Sequence, residues 1–217
     1  MGQRTPEKTM VENPNVVAIP KAIPAGYEQV LSWSAEKPSR VILLQILAIG
    51  LFFLFGFFFL GLAIQVGNMP SQGQFGIAEA GLAVAGIVMT LILHEIVHGI
   101  MMSAFGAHPE YGVQWKKMML YATCPGYAFR QNSYLAITLA PVVAISALTI
   151  AGLVVLSGTV WVGLAALCGA INGGGAIGDL WIALLVLRYP AKAYVVDERD
   201  GFRVFLPRET GKKRVGE

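Results

Sequence analysis

The sequence is dominated by apolar runs too long to be the core segments of a small soluble domain. A helix advances 1.5 Å per residue, so roughly 20 apolar residues cross a hydrocarbon layer about 30 Å thick. Four stretches reach that length: residues 41–66, 77–105, 134–156 and 160–187. The first holds a phenylalanine-rich run, 51–60, and follows 40 polar, proline-bearing residues. It is too long for the core of a cleaved signal and is expected to be retained. The third contains Pro141, which a membrane helix tolerates when a neighbour or a local hydroxyl satisfies the freed carbonyl. Only Ser157, Gly158 and Thr159 separate the third from the fourth, so those two are expected to form an antiparallel hairpin.

Charge follows the same division. Only 13% of residues are charged, against about a quarter in soluble domains. Nearly all of them lie in 1–40, 105–131 and 188–217. Lysine and arginine collect on cytoplasmic segments. Here they fall at Arg4, Lys8, Lys21, Lys37 and Arg40, then at Lys116, Lys117 and Arg130, then from Arg188 to Arg214, with none between the first and second or the third and fourth runs. Both termini and the 106–133 loop are therefore expected in the cytoplasm. The net charge of +3 comes from these flanks and reads as membrane orientation, which excludes nucleic acid as a partner. Two cysteines, Cys124 and Cys168, exclude a disulfide scaffold.

The expected fold is an all-α polytopic membrane protein of four transmembrane helices. A short β-hairpin-like cytoplasmic loop and a C-terminal hairpin over 193–206 accompany them. Residues 1–40 form a cytoplasmic tail, 41–188 the membrane domain and 189–217 a second cytoplasmic tail. The small size suggests a prokaryotic plasma membrane.

An ionisable side chain in hydrocarbon costs about 2.5–3.5 kcal/mol on insertion scales, so each one marks a functional hypothesis. The second run has three in five positions, His94, Glu95 and His98, which form an H-E-x-x-H motif. Residues four apart share a helix face, so the two imidazoles are placed to grip one tetrahedral zinc, with Glu95 beside them to reach water. A buried polar cluster lining a transporter cavity is the plainer alternative. The spacing of ligand, base and ligand favours a hydrolytic site.

Catalytic zinc takes three protein ligands and keeps one position open. Soluble proteases of the H-E-x-x-H-x-x-G-x-x-H type supply a third histidine six residues on, where this chain has Ala104. Asp179 is the acidic residue of the fourth run, and the second and fourth runs both head toward the cytoplasm. His98 precedes Phe105 by seven residues and Asp179 precedes Arg188 by nine, which puts both roughly 10–13 Å inside the boundary. The fourth run supplies Gly169, Gly173, Gly174, Gly175 and Gly178; Gly169 with Gly173, and Gly174 with Gly178, have small-xxx-small spacing, expected to let the helices approach closely enough to bring Asp179 to the metal. His108 and Glu110, just beyond the second run, are alternative third ligands. Glu79 suits the positive end of the second helix.

With those motifs in hand, the chain resembles the site-two proteases, zinc peptidases that cut within the membrane. It resembles more closely the four-span "putative zincin peptidase" membrane family, through His94-Glu95-Ile96-Val97-His98-Gly99, Leu139-Ala140-Pro141 and Gly178-Asp179. Leu180 follows the aspartate where site-two proteases usually have glycine. The likeness covers roughly residues 80–190. It implies a metalloprotease whose zinc (Zn2+) ligands are His94, His98 and Asp179, with Glu95 as catalytic acid and base.

Zinc there would make water acidic enough to yield hydroxide near neutral pH. Glu95 would take the proton and pass it to the leaving amine. Asn172 is a candidate for substrate binding, or for bonding backbone near the glycines. Two short strands in the cytoplasmic loop, about 111–115 and 118–123, are placed to add an extended peptide to a free edge. A loop lying on the lipid surface is the alternative. The expected partners are a membrane protein or peptide substrate and the lipid bilayer. The competing function is a non-catalytic membrane metal-binding or transport protein that retains the zinc site.

Overall fold

A computed structural model describes residues 22–34, 37–66, 76–115, 119–198 and 201–208 of the chain. Arg4, Lys8, Lys21, Lys116, Lys117, Arg199 and the basic residues from 212 on, all used above for orientation, lie outside the described residues.

The apolar runs fold as helices: α1 (Pro38–Val66), α2 (Ile77–Ala104) and α3 (Gln131–Val155). Each is long and apolar enough to cross a membrane, which is compatible with a multi-pass membrane protein. Their outer faces carry exposed Ile42, Phe57, Ile64, Val84, Met89 and Val143, a distribution suited to lipid. Gly76 N–H donates to the Glu79 carboxylate at 2.9 Å, so Glu79 closes the first turn of α2 as its position suggested.

The fourth run departs from a single straight helix. It forms α4 (Trp161–Gly175) and α5 (Ile177–Val186), which meet at Ala176 with a bend of 42°. Gly173, Gly174 and Gly175 are weak helix formers stacked just before the break. The pair is long enough to cross a membrane if counted as one span.

The fold also contains more sheet than an all-α expectation allows. β2 (Glu110–Gln114) and β3 (Met119–Thr123) pair antiparallel as the expected loop hairpin. The other strands are β1 (Tyr27–Ser34), β4 (Ala128–Arg130), β5 (Tyr194–Glu198) and β6 (Gly201–Pro207). They form one sheet in the order β1-β6-β5-β4. The C-terminal hairpin is thus the centre of a sheet flanked by a strand from before α1 and one from between α2 and α3. The chain must return to the same end of the bundle after each helical pair.

Two apolar clusters bracket the bundle. Phe59, Ala63, Leu153, Val162 and Ala166 join α1, α3 and α4 at one end. Phe129, Tyr134, Ile137, Val186, Val195, Phe202 and Val204 join helix ends to the sheet at the other. The glycine stripe of α4 serves α1, and this corrects the expectation that it draws α4 toward α2. A Cβ on Gly169 would meet the Phe59 ring, one on Gly173 the Phe55 ring, and one on Gly174 would come within 3.1 Å of the Ala48 carbonyl. Phenylalanines of α1 fill the space these glycines leave, so close approach is achieved against a different helix.

Candidate metal centre

The candidate centre begins with the helical period of α2. His94 and His98 stand one turn apart on its inner face, both buried, with ring centroids 5.0 Å from each other. The bend at Ala176 starts a new helix whose first turn contains Asp179, where a helix N-terminus favours a carboxylate. Asp179 presents one oxygen to each ring: Oδ2 lies 2.9 Å from His94 Nε2 and Oδ1 lies 3.2 Å from His98 Nε2.

The other ring nitrogens are both committed. His94 Nδ1 is 3.0 Å from Asn172 Oδ1, and His98 Nδ1 is 2.9 Å from the Ile137 carbonyl oxygen. Oxygens of this kind accept, so Nδ1 is the donor in each neutral ring and Nε2 carries a lone pair. Two lone pairs therefore face two carboxylate oxygens. Acceptors opposed at this range are reconciled by a cation between them or by extra protons.

Tetrahedral zinc with ligand bonds of about 2.0–2.1 Å sets its ligand atoms about 3.3 Å apart, close to the spacings seen. The ligand atoms of His94, His98 and Asp179 all lie within 4.8 Å of one another, near enough to bind one metal ion. The nitrogen and oxygen donor set and the outer hydrogen bonds on both imidazoles suit a zinc ion. His108 and Glu110 are not in this group; both are exposed on the segment entering β2.

Glu95 projects from the same turn, and its Oε2 accepts the Ala122 N–H of β3 at 2.8 Å. This N–H lies on the edge of β3 that β2 leaves free. Two cavities meet at Glu95 and Leu120. One of about 200 Å³ is lined by Thr90, His94, Asn172 and Gly175. The other, about 300 Å³, is lined by Ile92, Ile96, Tyr111, Val113 and Tyr121. Asn172 is 1% exposed, and among the described residues its Nδ2 has no hydrogen-bond partner. That orphaned donor belongs to a side chain lining the metal-side cavity.

The hairpin is seated on α2 through a notch. A Cβ on Gly99 would overlap the Tyr111 hydroxyl, so only glycine admits that ring one residue past His98. Sequence reading missed this contact, although the Gly99 that follows the motif was its visible sign. It also missed Asp197 of β5, which accepts Thr123 Oγ1–H at 2.6 Å and Tyr134 O–H at 2.7 Å. Those bonds tie β3 and α3 to the sheet. Burial outweighs them and pushes the Asp197 carboxyl up to about 6. Burial likewise raises the thiol of Cys124, an inert core group.

Residues 87–194 match a family described as "Putative zincin peptidase". This supports a zincin-like family, and with it a metallopeptidase and zinc. The matched segment runs from the middle of α2 to the start of β5 and so contains His94, Glu95, His98, Asn172 and Asp179. No curated protein and no solved structure matches the chain.

Proposed function

We propose that the chain is an integral membrane zinc metalloprotease, related to the site-two protease type, that hydrolyses a peptide bond within or near the cytoplasmic half of the bilayer. The observation that carries this reading is the convergence of both Nε2 lone pairs on the two Asp179 oxygens, with Glu95 one residue away at the meeting of two cavities. His94, His98 and Asp179 would hold the metal. Zinc bound there supplies a Lewis acid for water and for the scissile carbonyl.

Glu95 removes a proton from the attacking water as oxygen bonds to the carbonyl carbon. The C–N bond then breaks, and Glu95 delivers the proton to the departing nitrogen, leaving an acid and an amine. Asn172 orients His94 through Oδ1 and offers Nδ2 to a substrate oxygen. Each outer hydrogen bond keeps its imidazole in the tautomer a ligand needs.

The substrate is an extended, largely apolar segment of a membrane protein or peptide. The free edge of β3 offers it backbone groups, and the two cavities take side chains on either side of Glu95. The shared sheet of β1, β4, β5 and β6 supports four crossings with both termini on one side, which the basic flanks make cytoplasmic. A prokaryotic plasma membrane is the proposed setting.

Glu95→Gln in the full chain is the test, with zinc content and cleavage measured on the same preparation. Zinc should stay at the wild-type level while cleavage disappears. Unchanged biological activity in that variant would instead favour a non-catalytic metal-binding or transport protein.

A further inference from the structure

Pro141 lies inside α3 and is buried, four residues after Ile137. In an uninterrupted helix the N–H of residue 141 would bond the carbonyl of residue 137. Proline has no N–H, so that carbonyl is left without its helical donor in a setting where an unsatisfied backbone group costs several kcal/mol. The nearby Thr138 hydroxyl does not relieve it; Thr138 Oγ1 bonds the Tyr134 and Leu135 carbonyls instead, each at 3.1 Å. Among the described residues, the side-chain donor that reaches the Ile137 oxygen is His98 Nδ1, at 2.9 Å.

We propose that Pro141 is a positioning residue for the metal, acting by releasing the Ile137 carbonyl to His98. The inference rests on the metal-site reading above and assigns the proline a role besides bending the helix. Each partner solves the other's problem: the carbonyl gains a donor, and the imidazole is fixed with Nε2 turned to Asp179. With alanine at 141 the helix supplies its own N–H to that oxygen, and the hold on the ring weakens.

The test is zinc affinity by chelator competition on the full-length protein in nanodiscs, comparing wild type, Pro141→Ala and the lipid-facing Val143→Ala. Pro141→Ala should weaken zinc binding about 10-fold or more, as loss of an outer-shell partner does. Its metal-free form should melt no lower than wild type, because a helical hydrogen bond is restored. Val143→Ala should bind zinc as wild type does. Wild-type affinity in Pro141→Ala overturns the inference and leaves the metal site standing; absence of zinc binding by wild type overturns the metal site itself. Should Pro141→Ala not fold, histidine ¹⁵N NMR of zinc-loaded wild type decides: a protonated His98 Nδ1 supports the inference and an unprotonated one overturns it.

Discussion

Two half-buried carboxylates in this molecule have opposite surroundings. Asp197, between sheet and helix ends, meets two hydroxyl donors, Thr123 and Tyr134. Asp179, inside the bundle, meets two imidazole nitrogens whose partner nitrogens already donate elsewhere. The first cluster is complete as a hydrogen-bond network. The second opposes acceptors to acceptors and is reconciled by a cation or by extra protons. Residue types alone do not separate them; the accounting of donors and acceptors does.

The largest expected effect that separates the two clusters comes from metal removal. Ligand linkage makes zinc at 1,000 times its Kd worth about 4 kcal/mol of stability. Chelation should therefore lower the melting temperature of wild type and of Asp197→Asn by similar amounts, yet leave Asp179→Ala unmoved. A wild-type melting temperature indifferent to chelation would remove the distinction.

Next is pH. Asp197 holds its proton up to about 6, from an ordinary value of 3.8, so between those values the unfolded chain binds fewer protons than the folded one. Stability is then greatest below the ordinary value and is lost as pH rises through about 6, by roughly 3 kcal/mol at most. Asp197→Asn should flatten that slope in thermal melts from pH 4 to 7. A slope unchanged in the variant would assign it to another group.

Smaller is the effect expected of Gly99→Ala, which sets a methyl group against Tyr111 and lifts the hairpin from α2. Overpacking of this kind costs about 1–3 kcal/mol. The Ala122 contact with Glu95 should loosen with it, so peptide cleavage should fall while zinc content holds. Full cleavage in this variant would show that the hairpin's seat is unimportant. Smallest is Thr123→Val, which removes one of the hydroxyls on Asp197 and should cost about 1 kcal/mol in a denaturation midpoint without touching zinc affinity.

Much of the candidate site was legible because it is local or periodic. His94, Glu95 and His98 sit within five positions on one helix, and the depth arithmetic placed Asp179 in the same layer. The long apolar runs are equally local, and three of them became helices at nearly the expected bounds. What escaped notice depends on pairing across long separations. β1 joins β6 from the opposite end of the chain, and nothing in Tyr27–Ser34 by itself names that partner. The α4 glycines announced close packing but not its recipient, which Phe55 and Phe59 decide. The bend at Ala176 was signalled only by the run of glycines before it. Pro141 was visible as a source of a free carbonyl, whereas its user, His98, emerges only when α2 and α3 lie side by side.

The most direct measurement is the metal content of the purified full-length protein, by mass spectrometry, for wild type and Asp179→Ala. One zinc per wild-type chain and loss of most of it in the variant is the expected result. Wild type without zinc, or Asp179→Ala holding as much as wild type, would contradict a metal gripped between α2 and α5.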